Sequence, residues 1–322
     1  MQEIIVTANE AGQRFDKLLV KYLNEAPKSF IYKMLRKKNI VLNGKKATGN
    51  EKLAVGDRVK LFLADETIEK FSKTEMILTN VVLDVLYEDD HVVMINKPVG
   101  MLSQKAEARD ESLVEHLISY LLCSGQMTQE ELKSFRPSIC NRLDRNTSGL
   151  VVAGKSLLGL QQMGQLFKDR SMNKYYRCLV AGNVVEKKYI KGYLTKDERT
   201  NKVCIISSMQ DGAVPIETEY EPIWGNGAVT LLEVHLITGR THQIRAHLAS
   251  IELPIIGDYK YGNRSINEAY KKKYGLESQL LHAYRVEMPV LTGELALLSQ
   301  KQFVAPLPKL FAQIIEEEKT KG

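Results

Sequence analysis

Residues 139–154 read ICNRLDRNTSGLVVAG, and they constrain this chain more than any other stretch. Arg142, Asp144 and Arg145 share one polar run, Thr147-Ser148-Gly149 follows, and Leu150-Val151-Val152 then supplies an apolar strand. The fold must bury that strand while a carboxylate and two guanidinium groups stand at its entrance. Nearby positive charge favours an ionised carboxylate. Taken alone, R-L-D-R is more often a structural ion pair at a strand entrance than a site. An aspartic protease is excluded, because Asn146 stands where the catalytic carboxylate of a D-T/S-G motif would be, and no second such motif occurs.

A second segment, residues 236–250, reads LITGRTHQIRAHLAS. The Thr238-Gly239 turn leads into a predicted helix with Thr241 as its cap and Ile244 and Leu248 on the buried side. His242 and His247 lack H-E-x-x-H spacing, so zinc is not indicated, and both read as ordinary polar histidines. Arg240 and Arg245 lie near a helix start, where backbone donors suit an anion.

The N-terminal region reads as helix, helix, hairpin. Phe15, Leu18, Leu19 and Tyr22 have the spacing of one buried helical stripe. Ser29 is the expected N-cap of a second helix, with Ile31, Met34 and Leu35 inward, Lys33, Arg36 and Lys37 outward, and Asn39 at its end. Asn43-Gly44 marks a tight hairpin turn. Another strand, Val59–Leu63, follows the Val55-Gly56-Asp57 turn. The charge is concentrated here. Between Arg14 and Lys60 stand 13 Lys/Arg against 4 Asp/Glu, a net +9 within a chain of net +6. From Lys28 to Lys46 there are seven basic residues and no acidic one. A short basic run is usually a solvated helix face. It is also the electrostatic footprint of a phosphate contact.

Residues 64–80 are polar and without clear periodicity, which reads as a linker. Beyond them the pattern turns strand-rich. Val85–Tyr87 and Val92–Ile95 flank a polar turn, and Leu113–Leu122 and Leu157–Phe167 have helical spacing. Tyr176–Val180, Val203–Ile206 and Val229–Leu236 read as strands. The expectation is an α+β protein, with domains at residues 1–75 and 76–322, the second built on a mixed, largely antiparallel sheet. No apolar run approaches the roughly 18 residues of a membrane helix, and no leader peptide is visible at the N-terminus. The four cysteines lack C-x-x-C spacing, so a cytoplasmic chain without a metal site is expected.

These segments together resemble the RluA family of RNA pseudouridine synthases, in its RluC-like branch. VLYEDDHVVMINKPVGMLSQ is similar to the family's opening hairpin, and NRLDRNTSGLVVAGKS to its H-R-L-D-x-x-T-S-G-L segment. KYYRCLVAG, GRTHQIRAHL, PIIGDYKYG and LLHA are similar to its later landmarks. PKSFIYKMLRKKNIVLNGKKATGNEKLAVGDRVKLFL resembles an S4-type RNA-binding domain. The resemblance implies that Asp144 is the catalytic aspartate, Tyr176 the tyrosine against the target base, and Arg245 the arginine paired with the aspartate. It implies that Arg142 helps to hold the place of the flipped-out nucleotide, and that Lys33, Arg36, Lys37, Lys38 and Lys45 face RNA. No cofactor is implied, the RNA is expected to be 23S ribosomal RNA, and the chain is expected to act as a monomer. One departure stands out: the family usually has His where this chain has Asn141, which keeps hydrogen bonding but carries no charge. Adjusted RNA contacts are expected there, with the chemistry kept.

Two other readings stay open at this stage. A non-catalytic RNA-binding or ribosome-assembly protein would explain the basic region equally well, but has no need of Asp144, Tyr176 and Arg245 together. A glycoside or nucleoside hydrolase would need a paired acid, and none stands out. A transfer RNA target also stays open.

Overall fold

The computed structural model describes residues 1–73, 79, 82–107, 109–197, 199–200 and 202–320. The boundary expected between residues 75 and 76 lies outside the described residues.

The N-terminal part comprises β1 (Gln2–Ile5), α1 (Phe15–Tyr22), α2 (Lys28–Arg36), β2 (Ile40–Leu42), β3 (Lys45–Lys46), β4 (Arg58–Leu61) and α3 (Asp65–Phe71). Its strands pair antiparallel in the order β1-β4-β2-β3. The expected stripe of Phe15, Leu18, Leu19 and Tyr22 is buried, and Ile31, Met34 and Leu35 join it in one core with Ile40, Val59 and Leu61. Leu42 pairs with Lys45 across Asn43 (φ 50°) and Gly44 (φ 73°), the two left-handed residues that this hairpin turn requires.

Three local expectations are corrected here. Ser29 lies inside α2 and does not cap it: Pro27 holds the N-cap position, where its fixed φ starts the helix. Asn39 does not end the helix either, because α2 stops at Arg36 and Lys38 takes the left-handed turn (φ 59°). The expected linker contains α3, whose Ile68 is buried and whose Phe71 packs on Phe30 at 4.8 Å between ring centroids. Tertiary burial overrides the weak local periodicity.

The rest of the chain runs β5 (Val85–Glu88), β6 (Val92–Lys97), α4 (Leu113–Cys123), α5 (Gln129–Ser134), β7 (Ser138–Ile139), β8 (Ser148–Gly154) and α6 (Leu157–Lys168). It continues with β9 (Asn173–Ala181), β10 (Lys188–Asp197), β11 (Lys202–Ile206), β12 (Val214–Gly225), β13 (Val229–Leu236), α7 (Gln243–Ser250) and α8 (Arg264–Tyr274). It ends with β14 (Leu281–Glu287), β15 (Gln302–Val304) and α9 (Lys309–Lys319). Eleven strands form one sheet with the path β11-β10-β12-β13-β9-β14-β8-β6-β5, with β15 on β14 and β7 on β8. Among the described residues only the β14–β8 strand pair is parallel, so the sheet is mixed and largely antiparallel, as expected. β8 is buried along its whole length, an interior strand between β14 and β6.

The N-terminal part sits against the larger one through α1 and α5. The Tyr22 hydroxyl donates to Glu130 at 2.8 Å, the Ser134 hydroxyl donates to buried Glu10 at 2.7 Å, and the Leu157 amide donates to Asn9 at 3.1 Å. Among the described residues no helix is long and apolar enough to cross a membrane.

Candidate active site

Asp144 stands in the loop between β7 and β8, and that loop is pinned from two sides. On one side the Cys140 amide donates to Val152 O at 2.7 Å, and the Asn141 side chain accepts from the Val152 amide at 2.8 Å. The amide of Asn141, at the position of the usual His, is thus tied to the backbone of β8. On the other side Ser103 closes a two-way bond with the Leu143 backbone, accepting at 3.0 Å and donating at 2.8 Å. Lys97, wholly buried, donates to the carbonyls of Pro98, Met101 and Arg145 at 3.0, 2.8 and 3.2 Å. Burial brings the Lys97 ammonium down to about 8, against the pull of Asp144 in the other direction. Gly149, at φ 113°, begins the descent into β8. A Cβ there would meet Ala283 O at 2.3 Å, so only glycine lets β14 pair this closely. The T-S-G motif therefore serves the strand crossing that places Asp144.

Arg245 comes from α7, 101 residues away in sequence, and donates from Nη1 to Asp144 Oδ2 at 2.7 Å. Its Nε and Nη2 donate to the two oxygens of Asp258 at 2.7 and 3.0 Å. Asp258 Oδ1 also accepts the amides of Lys260 and Tyr261, at 2.9 and 3.1 Å. Burial alone would push the Asp258 carboxyl up; Arg245 and the two amides hold it below the ordinary carboxylate range. The Arg245 guanidinium is raised further, chiefly by Asp258 and then by Asp144, which together outweigh its burial.

α7 does not start as expected. Thr241 is not its cap: the helix begins at Gln243, preceded by His242 in the left-handed region (φ 54°). The Gln243 side chain fills the turn instead, accepting from Thr238 Oγ1 and the Arg240 amide. Ile244 and Leu248 are buried as expected. His247 is also buried, 3.0 Å from Thr218 Oγ1. His242, read from sequence as an ordinary polar residue, belongs to the site. Its Nε2 lies 3.8 Å from Asp144 Oδ2 and its Nδ1 lies 2.9 Å from the Tyr261 hydroxyl.

Tyr176 projects from β9 into the same cleft, with 9% of its surface exposed. Burial, and secondarily the Asp144 charge, push its phenol up, so the hydroxyl stays protonated at neutral pH. The cleft has a volume of ≈ 1110 Å³ and, among the described residues, is lined by nine Lys/Arg and a single carboxylate, Asp144. Arg142 is exposed on its wall. Lys33, Arg36, Lys37, Lys38 and Lys45 do not line it: they are exposed on the N-terminal part. Among the described residues no group of three or more His, Cys, Asp or Glu stands where it could hold a metal.

Several site residues were missed from sequence. Asp258 and Tyr261 lie in the G-D-Y-K-Y-G stretch, where an acidic residue beside two tyrosines was the available signal. Lys105, Lys168, Arg170, Lys174 and Lys196 reach the cleft from separate segments and carried no local signal.

A family model described as RNA pseudouridylate synthase matches residues 91–250. The chain is 30% identical over 296 residues to "Ribosomal large subunit pseudouridine synthase C" of Vibrio vulnificus, covering 89% of this chain and 88% of that protein. The protein of the same name from Escherichia coli is 30% identical over 295 residues, 87% and 86% of the two chains. "Ribosomal large subunit pseudouridine synthase D" of Borreliella burgdorferi is 32% identical over 234 residues, 72% and 68%. The solved structure titled "Human RNA Pseudouridylate Synthase Domain Containing 4" has the same fold, with a TM-score of 0.58 over 73% of this chain and 92% of that one at 23% identity. With similarity to full-length relatives across both parts of the molecule, this chain belongs to the RluA-type family of RNA pseudouridine synthases, isomerases that act on uridine within RNA.

Proposed function

We propose that this chain converts uridine to pseudouridine in large-subunit ribosomal RNA, with Asp144 as the carboxylate that acts where ribose meets uracil. The observation that carries the reading is one carboxylate, bound at 2.7 Å by Arg245, in a cleft whose charged lining is otherwise basic among the described residues. Such a cleft attracts a polyanion and admits one reactive anion.

The isomerisation breaks the bond from C1′ to N1, turns the base and joins C1′ to C5. C5 loses its proton and N1 ends with one, so substrate and product hold the same atoms and no redox partner is needed. The nucleotide must leave its stack, which costs a few kcal/mol and least in a loop. Asp144 supplies the carboxylate at the junction, and Arg245 donates to it at 2.7 Å as its counter-charge. Tyr176 offers a ring on which the freed base can rest; base–aromatic stacking contributes about 1–3 kcal/mol. Arg142, exposed on the cleft wall, suits the gap left by the flipped nucleotide.

The N-terminal part is read as an S4-type RNA-binding domain. Support comes from its acid-free run Lys28–Lys46 and from the exposure of Lys33, Arg36, Lys37, Lys38 and Lys45. The ribosomal target follows the names of the relatives. A monomer acting in the cytoplasm, where ribosomal RNA is modified, is part of the same reading.

Pseudouridine mapping of total RNA from cells lacking the gene tests the reading. Loss of one or more pseudouridines from large-subunit RNA, restored by the wild-type gene and not by Asp144→Asn, is expected. Loss confined to transfer RNA would move the substrate class. An unchanged map would leave an RNA-binding protein.

A further inference from the structure

His242 and Tyr261 have no part in the chemistry described so far, yet both face Asp144 and Arg245. His242 is held in the left-handed backbone region, at φ 54° and ψ 15°, immediately before α7. Such a conformation is unfavourable for a non-glycine residue and persists only where the surroundings fix it. The surroundings do fix it. Nδ1 lies 2.9 Å from the Tyr261 hydroxyl, the two rings meet edge to face at 5.6 Å, and the imidazole side chain is 10% exposed.

The hydroxyl of Tyr261 decides where the imidazole proton sits. That oxygen already accepts the Val203 amide at 3.0 Å. If Nδ1 also donated to it, the phenolic proton would be left to find another acceptor. With the phenol donating to Nδ1, donor and acceptor capacities all match. Nδ1 is then the acceptor and Nε2 carries the hydrogen. Nε2 is the nitrogen turned toward Asp144, and at 3.8 Å from Oδ2 it is too far for a direct bond. Arg245 already serves that oxygen at 2.7 Å. The geometry thus leaves one N–H in the cleft wall, beside the reacting carboxylate.

We propose that His242 works as a neutral Nε2–H imidazole that donates to the ribose 2′-hydroxyl of the target nucleotide, and that Tyr261 is the positioning residue that fixes this tautomer. The inference rests on the reading of Asp144 as the carboxylate at C1′. The 2′ oxygen is one bond beyond the atom next to C1′, so a donor beside Asp144 is within its reach. The base has to turn during the reaction while the ribose stays, so a contact that lasts throughout belongs to the ribose. A 2′-hydroxyl contact also distinguishes RNA from DNA. The groups around the ring agree with a neutral form. Burial is the largest influence and lowers its pKa, Arg245 and Lys260 act the same way, and Asp144 and Asp258 oppose them.

Nitrogen NMR of the histidine side chains in the full chain tests the tautomer without reference to activity. At pH 7 the His242 ring should show a bare Nδ1 and a protonated Nε2, and Tyr261→Phe should give a mixture of tautomers. A protonated Nδ1 in the wild type, or an unchanged ring signature in Tyr261→Phe, overturns the assignment. Single-turnover rates on the mapped RNA then test the contact. His242→Phe should lower the rate by roughly 10²-fold, with RNA affinity kept, while His242→Gln, which restores an N–H at similar reach, should recover much of it. Replacing the target uridine by 2′-deoxyuridine should slow the wild type markedly and His242→Phe much less. Equal slowing of both proteins overturns the 2′-hydroxyl contact. If no RNA is modified by the wild type, the functional reading fails, and the NMR result still decides the tautomer.

Discussion

Asp258 holds two of the three nitrogens of the Arg245 guanidinium, at 2.7 and 3.0 Å, and leaves only Nη1 for Asp144. The arginine is therefore built into the fold by one carboxylate and offered to the cleft by its remaining edge. The Asp258 side chain is 1% exposed and the Asp144 side chain 27%, so the two carboxylates should behave differently when changed.

Asp144→Asn should fold with a stability within about 1 kcal/mol of wild type, bind RNA and form no pseudouridine, because the fold's anchor for Arg245 is intact. Asp258→Asn should destabilise by about 3 kcal/mol, since it leaves a buried guanidinium without its main counter-charge. Urea unfolding beside a pseudouridine assay separates them. Equal stability losses for both variants would contradict the division of roles. By the same geometry Arg245→Met is no clean probe of Asp144, because it also strands Asp258.

Acid should narrow the difference between wild type and Asp258→Asn. The Asp258 carboxyl is held below its ordinary value in the fold. Its contribution is therefore complete above the unfolded value of about 3.9 and is lost as pH falls through the lower folded value. Unfolding curves at pH 7 and at stepwise lower pH below 4 should show the gap shrinking. A constant gap would mean that the variant acts through packing.

Lys97 gives the same sign of slope in an alkaline window, but there the charged form is the one the fold disfavours. Its ammonium is down at about 8 in the fold, against an ordinary value near 10.4. Between these values the unfolded chain binds the proton more tightly, so this group makes stability rise with pH. The stability of wild type relative to Lys97→Met should climb from pH 8 to 10, with a slope approaching about 1.4 kcal/mol per pH unit. Chemical denaturation across that range reads the slope, and a flat difference would show that the three carbonyls hold the charged form regardless.

Tyr176→Phe should keep RNA affinity and most of the activity if the ring is what holds the base, whereas Tyr176→Leu should lose about 1–3 kcal/mol of transition-state binding. Single-turnover rates for the two variants make the comparison. A Phe variant as impaired as the Leu variant would give the hydroxyl the working role.

For the N-terminal part, point changes are a sharper test than removal. Deleting residues 1–75 would strip the partners of Glu130, Ser134 and Leu157 from the larger part. Replacing Lys33, Arg36 and Lys37 by Gln should weaken RNA binding and lower the slope of log affinity against log salt by about 2–3. Filter binding between low and physiological salt measures it, and an unchanged slope would remove this face from the RNA contact.

The sequence by itself determined the parts whose physics is local. The α1 stripe, the Asn43-Gly44 turn, the strands flanking the site and the placement of Asp144 before β8 all follow from residues within a turn or two of one another. Helix ends were less legible: Pro27 and Lys38, not Ser29 and Asn39, bound α2, because a fixed φ and a left-handed residue settled what side-chain capping preferences left open. The site itself was only half visible. The Asp144–Arg245 pair followed from the family resemblance. Asp258, Tyr261 and His242 join Asp144 and Arg245 only where the close β14–β8 pairing at Gly149 and the left-handed start of α7 bring distant segments together. The basic walls of the cleft have the same origin. Lys105, Lys168, Arg170, Lys174 and Lys196 are unremarkable in their own neighbourhoods, and a field made by charges from separate loops exists only once tertiary packing has set the distances between them.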